Sequence, residues 1–86
     1  MIYIIHFDSP YHHARHYVGF CAEGNLEQRL AQHRAGSGAR LMLAIELAGI
    51  DWTLALTHPG DRTFERRLKR SHNTPRFCPL CRKLSR

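Results

Sequence analysis

Acidic side chains are scarce in this sequence: seven Asp and Glu stand against thirteen Lys and Arg, a formal net charge of +6 with His neutral. Cysteine is scarcer still. Cys21, Cys78 and Cys81 are odd in number and make no disulfide framework. No stretch approaches the roughly 18 consecutive apolar residues of a membrane-spanning helix. The opening Met1-Ile2-Tyr3 has neither the basic segment nor the apolar run of a secretory signal. These absences lead to the expectation of a cytoplasmic protein with reduced thiols and no membrane partner. At 86 residues the chain has the length of one domain. A domain of that size buries only about 60% of its unfolded surface, so the core is thin and a site must lie near its edges.

What is present is a basic end. Arg62, Arg66, Arg67, Lys69, Arg70, Arg76, Arg82, Lys83 and Arg86 fall in the last third, opposed there only by Asp61 and Glu65. A one-sided basic segment suits a polyanion such as nucleic acid. The plainer alternative is a solvated face that keeps a small protein soluble.

The apolar patterning predicts six elements. Ile2 to Phe7 and His16 to Cys21 are β-branched and aromatic runs, expected to pair as an antiparallel hairpin across a His-rich loop. Gly24-Asn25 ends the second strand, and Asn25 with Gln28 makes a capping-box pattern for a helix running to about Arg34. A second helix fits Ala39 to Ala48, with Leu41, Ala44, Ile45 and Ala48 as its stripe and Gly49 as its C′ residue. Trp52 to Thr57 reads as a third strand. Asp61 is placed to cap a last helix reaching Lys69 or Arg70, with Phe64 and Leu68 as its core contacts. The expectation is an α+β domain over 1–70 in β-β-α-α-β-α order, a three-stranded antiparallel sheet flanked by helices. Residues 71–86, with Pro75 and Pro79, are expected to form a basic, cysteine-containing tail of the same domain.

Some positions fit a purely structural account poorly. Leu26, Arg29, Leu30 and His33 share one face of the first helix, so a cation and an imidazole occupy half of the stripe that should bury. Arg29 snorkelling, with His33 at the rim, is one reading; a cleft in which Arg29 meets an anion is the other. Tyr3 and Tyr17 alternate with aliphatic neighbours and, paired across the hairpin, face one side; each alone is more often a core aromatic. Glu65 pairs at i, i+4 with Lys69, or it supplies the hard oxygen a divalent metal needs at a phosphate site.

Taken together, Met1-Ile2-Tyr3, Tyr17-Val18-Gly19, Arg29 with His33, and then Glu65 resemble the ordered motifs of the GIY-YIG nuclease superfamily. The likeness spans about residues 1 to 70. The ending Asn73-Thr74-Pro75-Arg76-Phe77-Cys78-Pro79-Leu80-Cys81 also resembles that of small bacterial stand-alone members. Met1 replaces the first motif's glycine, and the position of the family's later asparagine falls near Cys78. The resemblance implies a metal-dependent endonuclease acting on double-stranded or branched DNA, in repair or a related process, with a protein partner to add specificity. It implies Tyr3, Tyr17, Arg29, His33 and Glu65 as catalytic residues, with Glu65 holding one Mg²⁺ or Mn²⁺. Tyr3, Tyr17 and His33 remain equal candidates for the base. Gly19 would let the phosphate backbone approach closely, and Arg62, Arg66, Lys69, Arg70 and Arg76 would track phosphates.

Cys78-x-x-Cys81 is half of a zinc site by spacing. A second half composed from the histidines of the hairpin loop is conceivable; the simpler expectation is two reduced thiols and no zinc. A degenerate domain that binds nucleic acid without cutting it, and a small zinc-binding adaptor, stay open as alternatives.

Overall fold

A computed structural model describes residues 1–12, 14–37, 39–71 and 78–80. The six expected elements are present in the expected order: β1 (Ile2–Tyr11), β2 (Ala14–Phe20), α1 (Leu26–Arg34), α2 (Arg40–Leu47), β3 (Trp52–His58) and α3 (Arg62–Ser71). The sheet is antiparallel throughout, in the order β2-β1-β3.

The alternation of β1 divides the core in two. Tyr3, Ile5 and Phe7 pack with Cys21, Met42, Ile45 and Trp52, partly covered by Leu26 and Leu30 of α1. Ile2 and Ile4 point the other way and pack with Val18 and Leu68. The central strand is thus buried on both faces, which is why it reads as a nearly unbroken apolar run. The helices α1 and α2 cover one face and α3 the other. β2 is left as an edge, and α3 lies along it.

Several local expectations are corrected. β1 runs on through Asp8-Ser9-Pro10 to Tyr11, beyond the expected break, and β2 starts at Ala14. Regular pairing between them shifts between His6 and Tyr11, so Pro10, which has no N–H to give, sits where the ladder is irregular. The hairpin turn is therefore tighter than a loop from Tyr11 to Arg15, and His12 takes a positive φ of 55° in it. Asn25 stands at the N-cap of α1 but makes no side-chain capping bond. In α2 the buried residues are Met42 and Ile45, while Ala48 is exposed. In α3 the Asp61 cap is present, with the Phe64 amide donating to Asp61 Oδ1 at 3.0 Å. Leu68 is its buried contact, at 6% exposure; Phe64 is 37% exposed and stacks on His58 instead. Strand β3 carries a bulge: Ile4 opposes Leu56 and Ile5 opposes Leu54, so Ala55 is extra. That residue flips the alternation, sending Leu54 to the α1/α2 side and Leu56 to the α3 side.

Candidate functional site

The hairpin register fixes the centre of the site. Tyr3 opposes Gly19 and Ile5 opposes Tyr17, so both tyrosines project from the same face of the sheet, with ring centroids 6.1 Å apart. Helix α1 lays His33 on them, 5.8 Å from the ring of Tyr3 and 5.1 Å from that of Tyr17. Tyr3 Oη lies 2.7 Å from His33 Nε2 in a buried hydrogen bond. Tyr3 and His33 are shut off from solvent, whereas Tyr17 is half-buried. Of the three residues that the sequence leaves equal, only Tyr17 opens onto the surface.

The electrostatics give this cluster a direction. Burial, reinforced by Tyr17, raises the pKa of Tyr3 well above the usual phenol range against a smaller opposing effect of Arg29. Burial, then Arg29, lowers the pKa of His33, so the ring is neutral at pH 7. Burial and the Glu65 carboxylate raise the pKa of Tyr17, while the Tyr3 hydroxyl and Arg29 lower it. The interaction between the two hydroxyls therefore holds the proton on Tyr3 and favours its loss from Tyr17. The bond at 2.7 Å is assigned with His33 Nε2–H donating to Tyr3 Oη. This tautomer leaves His33 Nδ1 as a bare acceptor, and that atom is buried without a partner among the described residues. The other tautomer would bury an orphaned N–H donor, the rarer and costlier arrangement. His33 and Tyr3 are thus joined by a buried hydrogen bond beside Tyr17, whose ring lies 6.1 Å from that of Tyr3.

Helix α3 closes the site from the other side of the β2 edge. Arg62, Glu65 and Lys69 share its face toward β2: Arg62 lies 5.6 Å from the Phe20 ring and Lys69 5.8 Å from that of Tyr17. Glu65 is 17% exposed and its nearest cation, Lys69, is 3.9 Å away and half exposed. The sequence-predicted pair is thus present, at the long end of the range and with its cation largely solvated. Arg66 and Arg70 are exposed on the same helix, while Arg76 and Cys81 lie outside the described residues. Gly19 is buried, and a Cβ there would stand 2.3 Å from Tyr3 Cζ and 2.5 Å from its hydroxyl, so the space its missing side chain leaves is filled by Tyr3.

A second cluster lies on the α3 face at the hairpin end of the sheet. His6 and His16 are direct cross-strand partners, and His6 Nδ1 is 3.3 Å from His16 Nε2. Cys78 Sγ approaches the same His6 Nδ1 to 3.5 Å, and Cys78 is wholly buried. The sequence pattern offered Cys78 with Cys81 and a loose group of loop histidines; it did not single out His6. The signal was available in the register, because Tyr3 opposite Gly19 places His6 opposite His16.

Among the described residues no helix is long and apolar enough to cross a membrane. Comparison with family models, curated proteins and solved structures finds no match.

Proposed function

We propose that the chain is an endonuclease of the GIY-YIG type that hydrolyses DNA phosphodiester bonds at the β2 edge, with one Mg²⁺ or Mn²⁺ on Glu65. The observation that carries this reading is the buried Tyr3–His33 hydrogen bond set against the half-buried Tyr17, which shares its surroundings with one carboxylate and one guanidinium. A packing role for the three aromatics would not require an imidazole with zero exposure and an unpartnered ring nitrogen.

The residues at Glu65 fit a hard cation of the Mg²⁺ kind. Its carboxylate is largely buried and faces Tyr17. Among the described residues no group of three His, Cys, Asp or Glu ligands forms around it. One carboxylate completed by water and phosphate oxygens is the arrangement Mg²⁺ favours, since that ion keeps much of its hydration shell. Bound there, the ion would supply Lewis-acid polarisation of the phosphoryl group and support for the leaving oxygen.

The chain's own residues do the rest. Tyr17, as the phenolate formed when its own proton passes to solvent, takes the proton of the attacking water. Its ordinary pKa near 10 makes it a strong but rarely ionised base. The Tyr3 hydroxyl, polarised by His33 Nε2–H, favours that prior ionisation by donating to the phenolate, against the burial that opposes it. A cation on Glu65 would remove the repulsion that this carboxylate exerts on the phenolate. Arg29, close enough to affect all three members of the cluster, clamps the phosphate with its planar fork. Arg62 and Lys69 border the site, and Arg66 and Arg70 extend the basic face along α3. Contacts of that kind position a duplex without reading its bases.

The test is nicking of supercoiled plasmid and of branched DNA with Mg²⁺ or Mn²⁺, comparing the native chain with Glu65→Ala at matched DNA affinity. The proposal expects metal-dependent nicking that falls roughly 10³-fold, about 4 kcal/mol of transition-state stabilisation. Binding by both proteins with cutting by neither would show a binding-only module.

A further inference from the structure

We infer that His6, His16 and Cys78 form a binding site for one zinc ion, separate from the nuclease edge, which fastens the C-terminal tail to the sheet. Their ligand atoms, two imidazole nitrogens and one thiol sulfur, all lie within 4.8 Å of one another. No other such group of three His, Cys, Asp or Glu side chains forms among the described residues.

Two of the three spacings are those of a metal's coordination shell, and the third lies within 4.8 Å. Tetrahedral zinc has bonds of about 2.0–2.1 Å to nitrogen and 2.3 Å to sulfur, which sets neighbouring ligand atoms about 3.3 to 3.6 Å apart. The observed separations are 3.3 Å for His6 Nδ1 to His16 Nε2 and 3.5 Å for His6 Nδ1 to Cys78 Sγ. A network of hydrogen bonds explains them less well. His6 Nδ1 has one in-plane lobe, holding a proton or a lone pair, yet it is approached by both partners. A cation at the centre uses one lobe from each ligand and satisfies all three at once.

The chemistry of the donors selects the ion. Imidazole and thiolate are borderline-soft ligands that suit zinc and leave Mg²⁺ and Mn²⁺ to the carboxylate on α3. Two of the donors come from adjacent strands, held by the hairpin register. The third comes from 62 positions further along the chain than His16 and is fully buried. Cys81 follows Cys78 at the spacing common in zinc sites. It lies outside the described residues, and the three ligands named make the site without it.

The experiment uses the full chain expressed without a histidine tag and purified without chelator. Metal content is measured by mass spectrometry, and the ion is exchanged for Co²⁺ to read thiolate coordination in the near-ultraviolet charge-transfer band. The expected result is about one zinc per chain and a charge-transfer band in the cobalt form. Cys78→Ser and His16→Ala should each lower the retained zinc at least about tenfold. Because a lost ligand can also unfold the tail, Cys78→His gives a second reading: it should keep the ion and lose the charge-transfer band. A native chain free of zinc that gives no cobalt band would overturn the inference. So would a full equivalent of zinc retained by Cys78→Ser. Neither outcome depends on whether the protein cuts DNA.

Discussion

Tyr3 and Gly19 act as one unit. The ring of Tyr3 occupies the place of a side chain opposite it, so Gly19→Ala forces a methyl group to within 2.3 to 2.8 Å of three ring and hydroxyl atoms. Overpacking of this kind costs about 1–3 kcal/mol, and it should also displace the Tyr3 hydroxyl from His33. A lower urea midpoint with an unchanged m-value is the expected observation. Tyr3→Phe keeps the packing but leaves His33 with neither ring nitrogen bonded to a side chain, at a cost of about 1–3 kcal/mol. His33 also makes stability depend on pH. Its folded pKa lies below the ordinary 6.5, so the unfolded chain binds the proton first as pH falls. Stability from this group is complete above about pH 6.5 and declines as pH falls toward the folded value. His33→Gln should flatten that part of a plot of Tm against pH; an unchanged slope would remove His33 from the account.

At the scale of elements, α3 is both a clamp and a basic track. Its N-terminus is held by Asp61, whose carboxylate accepts from the Phe64 amide. Asp61→Ala should cost about 1 kcal/mol and, by loosening the first turn, weaken DNA binding as well as folding. The existence and order of the six elements were legible in the sequence because long periodic runs and turn residues mark them. Their faces were less so. The bulge at Ala55 is one extra residue, and no residue type demands it, yet it decides which of Leu54 and Leu56 meets α3. Phe64 was expected in the core by helical spacing, but stacking on His58 at 5.0 Å offers it a half-exposed alternative, and Leu68 alone fills the sheet contact. The aromatic pair and His33 were legible as an anomaly on a stripe. What the sequence could not rank was their access to solvent, which depends on α1 covering Tyr3 and leaving Tyr17 at the edge. His6 was missed for a related reason: its partner His16 is ten residues away, and its third neighbour, Cys78, seventy-two.

The molecule as a whole carries a formal net charge of +6, and Arg62, Arg66, Lys69 and Arg70 of α3 border or flank the proposed site. Affinity for duplex DNA should therefore fall steeply with salt, with a log–log slope that drops by about 1 for each phosphate-contacting cation removed. Filter binding by Arg66→Ala and Arg70→Ala checks this. A salt-independent affinity would mean that the basic face is only solvated surface. The two proposed metal sites would divide the protein by chemistry: a carboxylate at the β2 edge for a hard cation, and imidazole with thiolate at the hairpin end for zinc. Chelation should accordingly lower Tm in proportion to the ion bound, an effect that excess Mg²⁺ does not reverse.

The most direct test of the account is the rate of metal-dependent DNA nicking by Tyr17→Phe against the native chain, at saturating Mg²⁺ and matched DNA affinity. Phe keeps the ring contacts with Tyr3 and His33 and removes only the phenol oxygen proposed as the base. Loss of a general base predicts a fall of about 10²- to 10⁴-fold, with folding and binding preserved. Native nicking rates in a folded Tyr17→Phe would contradict the account, because the one solvent-reaching member of the cluster would then take no part in the reaction.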